Sequence, residues 1–174
     1  MMKTKTLTRC AMLIGLNVVL SILTPIKLAN FKFTFEAFPI LVAGIMFGPI
    51  EGLIVGSLGS FIYQIFFSGY GFMPTTILWI LPHSVSGLLV GCYSKANTYE
   101  LSKRKLIFIS ILSALIVTIL NTIAIYIDSK VFGYYTFAYV FGSIIFKIIA
   151  GILLAVIYSL IIEKMMKNIS KMRQ

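Results

Sequence analysis

Residues 136–162 read TFAYVFGSIIFKIIAGILLAVIYSLII, 27 positions with a single charge, Lys147, two residues from the centre. A run of that length and apolarity is a membrane-spanning helix, because about 20 helical residues cross the roughly 30 Å hydrocarbon core. An ammonium near the bilayer centre costs from about 2.5 to more than 10 kcal/mol, and it persists only beside a partner, water or an anionic ligand. Lys147 is therefore the first candidate functional residue.

The rest of the chain is of the same kind. Its 174 residues are 59% hydrophobic and 11% charged, with a mean hydropathy of +1.01, which is the composition of an integral membrane protein. The apolar runs are too long and too weakly alternating for barrel strands, so an α-helical bundle in the cell membrane is expected. Cys10 and Cys92 match no metal or redox spacing and read as packing residues. The basic start, Met1 to Arg9, resembles a signal peptide, but the apolar run after it lacks a small-x-small cleavage site and reads as the first membrane helix.

Six membrane helices are expected, at about 7–24, 36–48, 50–67, 75–93, 105–128 and 137–163, in one domain. The second is too short to span alone, and the alternating Phe31-Lys32-Phe33-Thr34-Phe35-Glu36 before it reads as an extended segment packed over the bundle. Eleven basic residues fall on one face of this layout: Lys3, Lys5, Arg9, Lys95, Lys103, Arg104, Lys105, Lys164, Lys167, Lys171 and Arg173. Only Lys27, Lys32 and Lys130 fall on the other. By the positive-inside rule both termini are cytoplasmic. The formal charge of +10 is thus explained by topology, and no nucleic-acid partner is expected.

Small residues mark the helix contacts. Gly44, Gly48, Gly52 and Gly56 recur every fourth residue, Gly87 and Gly91 repeat the spacing, and Ala11 and Gly15 do so on the first helix. Such spacing lets membrane helices approach closely. For Ala11 and Gly15, a groove for a separate subunit rivals internal packing.

The outer half of the bundle gathers the polar candidates. Side chains on the fourth and sixth helices lean toward the outer face, because the Cα–Cβ bond tilts toward the helix N-terminus. Trp79 and His83 form an i, i+4 pair on the fourth helix, with His83 at nearly the depth of Lys147. Pro82 between them frees the Leu78 carbonyl, which membrane helices tolerate mainly beside a cavity. Asn121 on the fifth helix, Tyr63 and Gln64 on the third, and Glu36 at the head of the second complete the set. A lysine suits a carboxylate, an indole offers a stacking face, and His, Asn and Gln offer hydrogen bonds to a flat heterocycle. Each has a plainer role as well. Lys147 would snorkel or pair with Asp128 or Glu36, Trp79 would anchor at the interface, His83 would be a packed hydrogen-bonding group, and Asn121 would link helices. Residues 68–74, with two glycines and a proline, suit a hinged gate.

Phosphate loops, zinc-protease and nucleophile-elbow motifs are missing from the sequence, as is any carboxylate cluster for a metal. With one His and five acidic residues, neither catalysis nor a cofactor is expected. A membrane scaffold remains the alternative to a binding protein, and the absence of an internal repeat speaks against an autonomous carrier.

Phe38-Pro39-Ile40-Leu41-Val42-Ala43-Gly44-Ile45-Met46-Phe47-Gly48-Pro49-Ile50-Glu51-Gly52, continuing to Val55-Gly56, resembles the helix 2 to 3 signature of S components, the substrate-binding subunits of energy-coupling factor (ECF) vitamin transporters. The folate group is the most similar. The resemblance extends over essentially the whole chain. It implies that Ala11-Met12-Leu13-Ile14-Gly15 docks on a transmembrane coupling subunit, with two ATPase subunits supplying the energy. It further implies that a vitamin, folate first, binds in the outer half. Where this chain has Leu81-Pro82-His83-Ser84, the folate group carries an arginine, which keeps another anionic vitamin such as pantothenate as the alternative.

Overall fold

The computed structural model describes residues 4–24, 26–28, 31–69 and 71–171. Pro25, Lys3, Arg173 and, within the expected gate, Tyr70 lie outside the described residues. The order is α1 (Thr4–Leu23), β1 (Ile26–Leu28), β2 (Phe31–Phe33), α2 (Ala37–Met46), α3 (Pro49–Phe66), α4 (Thr76–Ala96), α5 (Lys103–Val131), α6 (Phe137–Phe141) and α7 (Ile144–Lys171). Five helical stretches, α1, α3, α4, α5 and Phe137–Asn168, are long and apolar enough to cross a membrane, while α2 is a shorter apolar helix. The all-α membrane architecture is therefore as expected.

Two local differences refine it. The segment before α2 is an antiparallel hairpin pairing Ile26 with Phe33, Lys27 with Lys32 and Leu28 with Phe31. The expected helix 137–163 is divided into α6 and α7 at Gly142 and Ser143. Glycine permits this tight turn, since a Cβ at Gly142 would sit 2.4 Å from the Ala138 carbonyl oxygen.

Alternating helix directions bring both termini to one end, here the near end; Arg9 of α1 lies over the Phe47 ring, and Met165 and Met166 of α7 pack on the core around α2. Both clusters of buried apolar residues surround α2. Leu41, Val42, Ile45, Val90, Leu106 and Ile162 belong to one, and Cys10, Ile40, Ala43 and Val55 form the other. Where α2 turns into α3, Gly48 adopts φ 129° and ψ −176°, a backbone region open only to glycine. Pro49 follows at the first helical position, where its missing N–H costs nothing.

The closest backbone approach is between α3 and α4. An ideal Cβ on Gly87 would lie 2.1 Å from the Gly52 oxygen, and one on Gly52 would lie 2.3 Å from the Gly87 oxygen. A Cβ on Gly56 would meet the His83 oxygen at 2.3 Å. The regular glycine spacing is thus an α2–α3–α4 packing device. Around it α5 packs on α4 and α7, whereas α7 touches α2 only at one edge and makes no extensive contact with α4.

Candidate functional site

One stripe of α6 and α7 faces the bundle: Val140, Ser143, Ala155, Tyr158 and Ile162 are buried on it, and Lys147 and Gly151 fall on the same helical spacing. The ammonium of Lys147 is buried and has no hydrogen-bond partner among the described residues. Snorkelling is thereby excluded, because the side chain turns inward from lipid. One turn before it, the Ser143 hydroxyl is likewise buried without a partner, while the Ser143 carbonyl accepts the Lys147 N–H at 3.0 Å.

The two carboxylates that would have neutralised Lys147 are engaged elsewhere. Asp128 accepts from the Thr75 hydroxyl at 2.5 Å and from the Tyr134 hydroxyl. Glu36 accepts from Ser21 Oγ at 2.6 Å and stands 3.3 Å from His83 Nε2, while its backbone oxygen accepts from Asn17 Nδ2 at 2.6 Å. His83 is thus held through one ring nitrogen. The other, Nδ1, is buried and unpartnered.

Contacts along α5 set the levels. Ser86 of α4 bonds Ser113 at 2.6 Å, Thr75 meets Asp128, and Gly151 of α7 faces Ala114 and Thr118, with a Cβ there 3.6 and 3.7 Å away. Lys147, one turn beyond Gly151, therefore stands level with Asn121, between the heights of His83 and Trp79. Lys147 thus stands within about one helical turn of His83, the nearly equal depth expected from the sequence. The two residues sit on helices that share no extensive contact with each other and both pack on α5.

The head of α2 reaches both helices. Phe35 and Phe38 lie against the Tyr158 ring of α7, centroids 6.0 and 5.8 Å apart, and Tyr158 donates to the Thr34 carbonyl at 3.3 Å. The same segment meets α4 through Glu36 and His83. The head of α2 thus touches both α4 and α7, and α5 packs on the same two helices.

Not every expected residue joins this arrangement. Trp79 and Asn121 are half-buried on the α4 wall and on α5. Tyr63 and Gln64, also half-buried, belong to α3, which packs on α4 and α1 and makes no extensive contact with α7. The helix packing therefore does not bring those two to Lys147. Ser143 escaped the sequence reading, although its i, i+4 spacing to Lys147 was the available signal. Two open grooves along α5, of about 240 and 320 Å³, are lined almost wholly by apolar side chains and touch none of Lys147, His83 or Trp79. No metal-binding group of side chains occurs among the described residues.

Chemically, the far half carries a cation, a hydroxyl and an imidazole nitrogen that have no hydrogen-bond partner among the described residues, with an indole one turn above the imidazole. Groups of these types can bond an anion and the edge of a polar ring. On α1, Ala11 and Gly15 are exposed, with Met12, Leu16 and Val19 exposed around them. A Cβ on Gly15 would touch nothing within 4 Å, whereas Cys10, Asn17 and Ser21 are the buried residues of that helix.

The family model for the ECF transporter substrate-specific component matches residues 5–162. No curated protein matches the sequence. Three solved structures share the fold. The S component of a bacterial ECF transporter superposes with a TM-score of 0.71 at 21% identity, over 97% of this chain and 99% of that one. FolT bound with folic acid gives 0.73 at 20% identity, over 93% and 95%. The S component for biotin from an ECF-type ABC transporter gives 0.69 at 18% identity, over 96% and 95%.

Proposed function

The chain belongs to the ECF transporter substrate-specific component family, whose members are multi-pass membrane subunits that bind a transported substrate, and from that premise we propose that it captures an anionic vitamin, folate first. The unpaired Lys147 ammonium is the observation that carries this reading. A buried charge is costly where Asp128 and Glu36 are bonded to other groups, and a substrate carboxylate would relieve that cost on binding. Lys147 and Ser143 hold the carboxylate arm from α7, while Trp79 stacks on the ring and His83 Nδ1 bonds its edge from α4.

Folic acid and biotin, named for two of the similar structures, both carry a carboxylate remote from a polar ring. The aromatic face of Trp79 favours the flat pterin ring, since offset stacking needs a second π-system. By the positive-inside rule the far half is extracellular, so the vitamin enters there. The open face of α1 at Ala11 and Gly15 suits close packing against a transmembrane coupling subunit. ATP hydrolysis falls to two partner ATPase subunits, because the chain carries no phosphate loop.

Native mass spectrometry of the purified protein tests the assignment. A pterin vitamin is expected as the bound mass, with folic acid quenching the fluorescence of Trp79, the single tryptophan. A bound mass of biotin or pantothenate would move the assignment to that vitamin. No bound mass and no response to any of the three would refute it.

A further inference from the structure

At the far end a chain of hydrogen bonds joins the first residue of the α4 wall to the end of α5. Thr75 caps the start of α4 and, at i, i+4 and i+8, shares a face with Trp79 and His83. Its hydroxyl donates to Asp128 on α5 at 2.5 Å. The other oxygen of that carboxylate accepts from the Tyr134 hydroxyl, and Tyr134 leads to α6 through an edge-on contact with the Tyr139 ring, centroids 5.5 Å apart. Asp128 is 7% exposed and Thr75 5%.

The backbone makes this link stiff. At the end of α5 the Phe132 N–H bonds the Asp128 carbonyl at 3.0 Å and the Tyr134 N–H bonds that of Ser129 at 3.0 Å. Gly133 between them has φ 78°, so the turn folds Tyr134 back over Asp128. At the same time Pro82 interrupts the hydrogen bonding of α4 beside His83, so its outer turns are held by neighbouring elements, α3 and the Thr75–Asp128 bond among them.

We infer that Asp128 is the positioning residue that sets the separation between the Trp79–His83 wall on α4 and the Ser143–Lys147 wall on α7. The wall assignment rests on the vitamin-binding reading above, whereas the separation of the two helices, which share no extensive contact, does not. A ligand that spans both walls gains affinity from their fixed separation, because the second contact becomes intramolecular. A fragment that touches one wall gains nothing from it.

Two measurements on the full-length protein in detergent or nanodiscs test this. First, spin labels on Ile77→Cys in α4 and Ile145→Cys in α7, positions 59% and 67% exposed, are introduced with Cys92→Ser, and their separation is read without ligand. Asp128→Leu is expected to broaden that distance distribution. Second, Asp128→Leu is expected to weaken folic acid by about tenfold or more, while pterin and p-aminobenzoylglutamate, each measured as a competitor, change by less than about twofold. If Asp128→Leu does not fold, Thr75→Val and Tyr134→Phe each open one joint and carry the same expectation. An unchanged distance distribution, or an equal loss for whole ligand and fragments, overturns the inference. Broadened distances in a protein that ignores folic acid would leave the link standing and remove the folate reading instead.

Discussion

The near and far halves of this bundle solve the problem of helix association in lipid by opposite means. In the near half the helices touch through glycine: Gly52 and Gly87 bring two backbones together where no side chain fits, and both apolar core clusters gather around α2. In the far half α4 and α7 stay apart, linked by the Glu36–His83 contact below and the Thr75–Asp128–Tyr134 bonds above. Lipid gives helices no hydrophobic reason to associate, so close van der Waals packing and hydrogen bonds are the available glues. Packing fixes one geometry, whereas a few hydrogen bonds fix less. On the proposed reading the near half is the scaffold and the far half the receptor.

The largest expected break in that contrast is Gly87→Leu. Its side chain would enter the Gly52 backbone, and we expect a loss of about 3 kcal/mol or more, or no folded protein at all, in unfolding experiments in micelles. Normal stability in this variant would mean that α3 and α4 are not in backbone contact. His83→Ala in the far half should cost less stability than that, through the loss of the imidazole beside Glu36, and weaken the vitamin about five- to tenfold by titration calorimetry, the scale of one lost buried hydrogen bond. Ser143→Ala should cost about two- to threefold in the same assay, since Lys147 remains to hold the carboxylate. Gly15→Leu sharpens the contrast from outside: the open space around that glycine predicts unchanged melting and unchanged vitamin affinity, with loss confined to co-purification with the coupling subunit. A destabilised Gly15→Leu would show that this face of α1 packs internally after all.

Much of this was legible in the sequence. Apolar run lengths gave the membrane helices, and glycine spacing gave the α2–α3–α4 contact, because both signals are local and repeat with the helix. Lys147 stood out because charge in lipid is costly wherever it falls. What the sequence withheld concerns neighbours. Helical periodicity shows that Glu36 and His83 are available polar groups, but their pairing depends on how α2 and α4 rotate against each other, and Asn17 and Ser21 of α1 join them for the same reason. Their position near the outer end of α3 counts Tyr63 and Gln64 with Asn121 among the outer-half candidates, yet α3 packs on the α1 side of α4. The break at Gly142 was hidden inside a continuous apolar run, where one glycine in a membrane helix carries little information by itself.

If Lys147 is kept unpaired for an anion, replacing it with methionine removes that anchor while keeping the length of the side chain. We predict that Lys147→Met weakens vitamin binding by at least about tenfold, the scale of a lost charged hydrogen bond. The same substitution should raise the melting temperature of the ligand-free protein by a few degrees, because an uncompensated buried charge is replaced by a matching apolar chain. Unchanged affinity, or a ligand-free protein made less stable by the substitution, would contradict the account.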